Sequence, residues 1–379
     1  MRKILIGTGI DRSRALIHSM FTSRAMLFKL LAIPVFMLAG CQSSFGPEAV
    51  RNTHPSYNQA VIDSLNGEML LNLVRLKYRD EILFLKINSI TTALTLNATI
   101  GNNISLSSGT STLAPSTGLS YTQLPTLSYA PMAGDLFFKS IMAPIPLDSL
   151  FAFIRNGWNI ERLFNMCVER VNELYNIPSR ELDNKPEKER FRRLASLLRK
   201  LQTGHSIEIG KDKNDLMILF KYKQDNASDI DEVYSLLNLK GNDKAPRRLI
   251  ITDNSLAEGP DKMIVEPRGI SNIMHYLAQY VRIPKEHVEA GLVDNSMEYV
   301  NEDGGNEYSN ATDNIFDVQV NSWCPENAFI AVPYRDNCYY ISDSDLMSKS
   351  VFQLLSNLFS LQAGQSSNTS TPVLTIPAR

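Results

Sequence analysis

The spacing of apolar residues changes repeatedly along this chain, and the changes outline its elements. From Ser56 to Tyr78 the positions Ile62, Leu65, Met69, Leu73 and Leu76 fall three or four apart, which places them on one face of a helix. Ser56 suits the start, because its hydroxyl can accept from a free backbone amide. From Thr91 the period drops to two. Leu94, Leu96, Ala98 and Ile100 alternate with Thr95, Asn97 and Thr99, as in a strand with one apolar face. A stretch rich in Gly, Asn, Ser and Thr over 101–117 follows, and then Leu119 with Tyr121, and Leu127 with Tyr129, resume short alternations interrupted by Pro125.

Helical spacing returns over Asp135 to Met142, Asp148 to Asn156 and Ile160 to Tyr175, with Gly157 suited to the left-handed turn that ends a helix and Asn159 to capping the next. Later, Phe191, Leu194, Leu198 and Leu201 predict a helix that stops at Gly204; Ser206–Ile209 and Leu216–Tyr222 read as paired strands; Ser228 caps a short helix carrying Ile230, Val233 and Leu237. Strands at Leu249–Thr252 and Met263–Glu266 precede a helix with Ile270, Ile273, Leu277 and Val281. Three strands near Phe316–Trp323, Ala328–Tyr334 and Cys338–Ser342 lead to a last helix from Asp345 to Gln362. Hairpins punctuated by helices predict an α+β fold and not a doubly wound parallel sheet.

Charge refines this outline. Ser179 to Arg193 is dense in both signs and reads as a solvated linker and helix start, so the mature chain is expected to divide into a helical and β-hairpin region over 56–178 and an α+β domain with antiparallel hairpins over 194–379. By contrast, no Lys, Arg, Asp or Glu occurs from Asn88 to Gly134. Transmembrane barrel strands need ~9–11 residues of alternating character, and Leu94 to Ile100 and Leu119 to Tyr129 fit that pattern loosely. Two strands cannot close a barrel, and open edges are not tolerated in lipid, so insertion would require several copies each donating a hairpin. The plainer expectation is a hairpin or extended arm packed on the soluble domain.

The start of the chain carries the most explicit signal. Arg24 and Lys29 precede an uncharged run from Leu30 to Gly40, too short to span a bilayer as a helix, and the run ends in Leu38, Ala39, Gly40 and Cys41. This pattern resembles the lipobox of bacterial lipoproteins, which implies cleavage of the 1–40 leader, diacylglyceryl addition to the Cys41 sulfur and acylation of the new amine. Several acyl chains make a durable anchor where one does not. Met20 or Met26 would give a more compact leader than Met1. Gln42, where the sorting rule of such lipoproteins looks for Asp, implies the outer membrane; a periplasmic orientation is a separate expectation that no residue here decides. Residues 41–55 read as a tether.

The segments Leu70-Leu71-Asn72-Leu73-Val74-Arg75-Leu76-Lys77-Tyr78-Arg79-Asp80, Pro125-Thr126-Leu127-Ser128-Tyr129, Glu286-His287-Val288-Glu289 and Ser348-Lys349-Ser350-Val351-Phe352-Gln353-Leu354-Leu355 resemble landmarks of an uncharacterised family of proteobacterial envelope lipoproteins. That family carries no assigned activity, so the resemblance implies location and no mechanism.

Six basic residues and one acidic residue fall in the first forty, leaving the remainder with more acid than base, which argues against a nucleic-acid partner. The 44% hydrophobic content is that of a globular protein. No metalloprotease, paired-cysteine or EF-hand spacing occurs, and no serine-nucleophile elbow, so neither a metal, a cofactor nor a catalytic residue is expected from local motifs. Asp303-Gly304-Gly305-Asn306-Glu307 could hold calcium weakly, though an acidic solvent loop is the simpler reading. Among His54, His205, His275 and His287, His275 reads as a structural residue of its helix, and Cys167 as a small core residue. A strand between Cys324 and Cys338 would hold them ~23 Å apart, against the ~4.4–6.8 Å between bridged Cα atoms, so no disulfide is expected.

The expected function is a non-enzymatic structural or interaction component of an envelope assembly, held to the membrane through acylated Cys41 and partnered by envelope proteins or by itself. The alternatives are a ligand-binding lipoprotein, with Trp323, Tyr334, Tyr339 and Tyr340 lining a site for a small molecule or glycan, and then a hydrolase.

Overall fold

The computed structural model describes residues 47–107, 110–176, 185–213, 215–239, 247–257, 259–293, 315–363 and 374–377. The first helix, α1 (Pro47–Lys77), begins well before Ser56, so part of the expected tether is helical. That polar run has no apolar face to announce it, and extending a helix that already exists costs little. Met69, Leu70, Leu73 and Val74 are buried, whereas Ile62 and Leu65, expected on the same inner face, are exposed. Contacts divide the chain after Leu65, and all the sheets belong to the unit that starts at Asn66.

The fold is α+β. After α1 come two long strands, β1 (Phe84–Ser107) and β2 (Thr110–Met132), then three short helices, α2 (Asp135–Met142), α3 (Leu147–Arg155) and α4 (Ile160–Cys167). A tight hairpin follows, β3 (Val168–Val171) and β4 (Leu174–Tyr175), where the sequence predicts a continued helix. Val168, Val171 and Leu174 are buried at intervals of three, which mimics a helical face, but Asn172 takes a positive φ of 49° and turns the chain. Its side chain then fixes the turn: Nδ2 donates to the Leu237 carbonyl, and Oδ1 accepts from the Ile264 amide.

Helix α5 (Lys185–Thr203) leads to β5 (Ile207–Asp212), β6 (Asp215–Phe220), α6 (Ala227–Leu236), β7 (Arg248–Thr252) and β8 (Lys262–Pro267). The main sheet runs β4-β3-β8-β7-β6-β5, antiparallel except for the β7–β8 pair. A division of the core at Ser179 to Arg193 is therefore not seen. β3 lies before that segment and hydrogen-bonds with β8 after it, and Val168, Phe191, Leu194 and Val265 share one hydrophobic cluster. The dense charge marks one face of α5, whose other face buries Phe191, Leu194, Leu198 and Leu201.

The chain continues through α7 (Ile270–Ala278), α8 (Lys285–Glu289), β9 (Gln319–Asn321), β10 (Ala328–Tyr334), β11 (Asn337–Ser342), α9 (Leu346–Ala363) and β12 (Leu374–Pro377). Helix α7 packs on α9, α2 and α4. Gly269 at its start lies so close to the Met142 and Ala143 backbone that a Cβ would sit 2.6 Å from the Met142 carbonyl oxygen. A second sheet runs β10-β11-β9, and this order brings about the Cys324–Cys338 disulfide, with Cα atoms 5.2 Å apart. The expectation of no bridge followed Cys324 only along β10. It is β9, three residues upstream of Cys324 and with Asn321 opposite Cys338, that carries Cys324 back to the turn.

Candidate functional site

Two features of the fold stand out as candidate functional elements. The first is the β1–β2 hairpin. In the 101–117 stretch, expected to interrupt the strands, 101–107 instead pair with 110–116: Gly101 faces Ser116, Asn103 faces Ala114 and Ser107 faces Thr110. Small uncharged residues extend a strand readily when an opposite strand satisfies their backbone groups. The arms are 24 and 23 residues long, or about 80 Å at ~3.4 Å per residue.

The hairpin is held at its base by α1. Buried Asn72 donates from Nδ2 to the Leu83 carbonyl at 2.6 Å and accepts at Oδ1 from the Leu83 amide, so one side chain satisfies both backbone groups of the residue before β1. One turn earlier, Glu68 Oε1 accepts from the Leu85 amide at 2.6 Å. Burial pushes the Glu68 carboxyl up to about 7, although the Leu85 amide and nearby Arg75 both favour its charged form. Phe84 packs on Phe359 with ring centroids 4.4 Å apart and on Phe137 at 6.1 Å. On the β2 side, β12 adds a short third strand along Thr126–Tyr129. Beside this base α2 exposes Leu136, Phe138 and Met142.

Beyond the base, register sorts the two arms into two faces. One carries Leu94 opposite Gln123, Leu96 opposite Tyr121, Ala98 opposite Leu119, Ile100 opposite Thr117, Asn102 opposite Pro115, and Ile104 opposite Leu113. The other carries Thr95 opposite Thr122, Asn97 opposite Ser120, Thr99 opposite Gly118, Gly101 opposite Ser116, and Ser105 opposite Thr112. The sequence showed an apolar face in one arm; the register places Leu113, Leu119 and Tyr121 of the second arm on that same face, and Leu124, opposite Ala93, on the other. Among the described residues, the only extensive neighbours of the two arms are each other and β12.

The second feature is a cluster of aromatic and charged side chains. Helix α1 ends with the Asp80 amide donating to the Arg75 carbonyl and the Arg79 amide to the Leu76 carbonyl, a Schellman ending with Arg79 at φ 59° where glycine is usual. This ending places Tyr78 and Asp80 beside the β10–β11 turn, whose two central residues, Arg335 and Asp336, both have positive φ, as a two-residue hairpin loop requires. Tyr78 Oη hydrogen-bonds both His287 Nδ1, at 2.6 Å, and Tyr339 Oη, at 2.5 Å. A phenol has one proton to give, so at least one of these partners donates to it.

The Tyr334 hydroxyl donates to Asp80, and the Arg335 guanidinium donates to the same oxygen at 2.9 Å while lying 4.8 Å from the Tyr78 ring centroid. The Tyr334 hydrogen bond, helped by Arg335, holds the Asp80 carboxyl below its usual range. Burial, then the Tyr78 hydroxyl, pushes the Tyr339 hydroxyl up. Tyr339 is fully buried, Arg335 is exposed and His287 half-buried, so the cluster runs from the core to the surface.

Its members span the chain from Tyr78 to Tyr339, beyond the reach of local spacing. Even so, the structure brings together Tyr78 and His287, two residues 209 apart in sequence. Tyr334 and Tyr339, predicted to line a site, both belong to the cluster. Trp323 is 60% exposed and Tyr340 half-buried, and neither shares its hydrogen bonds. His275 Nδ1 lies 2.9 Å from the Ser271 carbonyl oxygen one turn back on α7. Cys167 is buried, and burial pushes its thiol up, away from the reactive thiolate. Leu38, Ala39, Gly40 and Cys41, and the acidic run Asp303 to Glu307, lie outside the described residues.

Among the described residues, no group of three or more His, Cys, Asp or Glu side chains could hold a metal ion. No helix among them is long and apolar enough to cross a membrane. Comparison with protein families, with curated proteins and with solved structures gave no match in any of the three.

Proposed function

We propose that this chain is an outer-membrane lipoprotein, anchored by acylated Cys41 and facing the periplasm, that serves as a non-enzymatic structural or interaction component of an envelope assembly. The observation that carries this reading is the β1–β2 hairpin: a long two-faced ribbon without a Lys, Arg, Asp or Glu from Asn88 to its end at Met132, gripped at its base by Asn72 and Glu68. A strand pair of this length with open edges offers a partner both backbone hydrogen bonds and an apolar face. The lipobox supplies the location.

Two measurements test the reading. Wild-type protein is expected to incorporate labelled fatty acid and to crosslink in intact envelopes to other envelope proteins or to itself. Cys41→Ser is expected to lose the label. Label on Cys41→Ser, or a wild-type chain that crosslinks to nothing, overturns it.

The Tyr78–His287–Tyr339 cluster favours a second reading, a ligand-binding lipoprotein. It runs from buried Tyr339 to the exposed Arg335 guanidinium, which lies 4.8 Å from the Tyr78 ring centroid, so hydroxyl and charged groups reach the surface together. The guanidinium and half-buried imidazole would meet an anionic or hydroxyl-rich ligand. Thermal stabilisation by a sugar or metabolite, abolished in Arg335→Ala, supports this reading; no stabilisation across such a panel counts against it.

A further inference from the structure

We infer that the β1–β2 hairpin is a membrane-inserting stem: several copies of the chain each contribute one hairpin to a closed transmembrane β-barrel, with the Leu94–Leu96–Ala98–Ile100 face against lipid and the Thr95–Asn97–Thr99 face lining the lumen. This deepens the proposed function, resting on its placement of the chain at a membrane, and names what the hairpin is for.

Three observations on the ribbon select a bilayer, and not a protein groove, as the occupant of the apolar face. The first is length: a barrel strand needs ~9–11 residues to cross. Leu96–Leu106 and its partner run Ser111–Tyr121 supply such a span on both arms, with Tyr121 at the end nearer the base, where a barrel carries its interfacial aromatics. The second is the character of the opposite face. A ribbon lying in a protein groove would leave that face to solvent, where Lys and Glu are common and harmless. Over the span Leu96–Leu106 and Ser111–Tyr121 it carries Thr, Asn, Gly, Ser and Ala, without a charge and without a large apolar group. That composition suits a wet lumen, and it lowers the cost of insertion, since the polar face must pass through hydrocarbon before a barrel closes. The third is the pair of open edges. β12 covers β2 at Thr126–Tyr129, and among the described residues no other strand pairs with the remainder of either arm. Lipid does not tolerate unpaired edges, so insertion and self-assembly are one event. The smallest membrane barrels have about eight strands, which sets a minimum of about four copies.

The test uses full-length acylated protein in native outer membranes, with single cysteines introduced along β1 and an aqueous maleimide as the probe, read against the parent chain. The expected result is alternation: Asn97→Cys and Thr99→Cys label, while Leu96→Cys, Ala98→Cys and Ile100→Cys lose labelling. Purified wild-type protein is expected to have the mass of a homo-oligomer and to give discrete conductance steps in planar bilayers. Asn97→Lys should keep the channels and shift their selectivity toward anions, and Leu96→Lys should abolish them. Uniform labelling places the hairpin in water, uniform protection places it inside protein, and either overturns the inference. Deleting Asn97–Tyr121 without changing the oligomeric mass overturns it too, independently of any cysteine variant. Fatty-acid label and envelope crosslinks that persist when alternation fails leave the lipoprotein reading standing alone; alternation without the label separates the two in the other direction.

Discussion

The main sheet and the hairpin use one sequence rule for opposite ends. In β6 the alternation of Leu216, Ile218 and Phe220 buries an inner face, and those residues join a cluster that runs through helices α4, α5, α6 and α7. In β1 the alternation of Leu94, Leu96, Ala98 and Ile100 is as regular, yet among the described residues no helix packs extensively against it. Period-two patterning says that a strand has an apolar face; it does not say what covers that face. What distinguishes the two regions is the residues between the apolar ones. β5 and β6 carry Glu208, Lys211, Asp212 and Asp215, the ordinary outer face of a protein in water, whereas the hairpin beyond Lys86 at its base carries no charge on either side.

Substitutions sharpen this contrast. The largest effect is expected at the core: Phe164→Ala, at a fully buried ring that packs edge-on against Phe151, should cost about 3–5 kcal/mol of folding stability by chemical denaturation. The matching change in the ribbon, Leu96→Ala, should leave that stability within about 0.5 kcal/mol, the range of changes that disturb no packed feature. A large loss there would mean that the hairpin is covered by its own chain, and the contrast would collapse. Next in size is the junction between the two regions. Asn72→Ala strips both hydrogen bonds from Leu83 and should cost about 1–3 kcal/mol, with faster amide exchange at the start of β1.

The smallest effect concerns pH. The carboxyl of Glu68 titrates near 7 in the fold and near 4.5 in the unfolded chain, so the folded state holds the extra proton between these values. Stability is therefore fully present at about pH 4.5 and declines as pH rises through about 7. Glu68→Gln, which keeps an acceptor for the Leu85 amide, should flatten that slope in melting curves taken from pH 4.5 to 8. An unchanged slope would remove Glu68 as its source.

Much of the fold is legible residue by residue. The helices that end in glycine or follow a capping residue, such as α3 before Gly157 and α4 after Asn159, lie close to where local chemistry puts them; the Asn159 side chain does accept from the Arg162 amide. The errors have one origin, which is that local period cannot distinguish a buried hairpin from a helix or choose a strand's second neighbour. Val168 to Leu174 repeats every three residues because both strands of a short hairpin are buried, and Cys324 meets Cys338 because β9 pairs on the far side of β11 from β10. The same limit applies to the candidate sites. The apolar face of β1 is visible in its sequence, but its coincidence with that of β2 depends on a pairing register that no single strand's sequence contains. The Tyr78 cluster needs α1, α8 and the β10–β11 turn at once, so no window of sequence contains it.

The pairing of β12 with β2 also bears on time. As the chain is synthesised, the two long arms emerge early and can find each other locally, but the strand that finishes their base comes from the other end of the chain. Until Leu374–Pro377 arrives, the edge of β2 at Thr126–Tyr129 lacks that partner strand. The hairpin is thus among the first elements to be made and the last to be sealed, and any chaperone that guards this chain in transit has its longest task there.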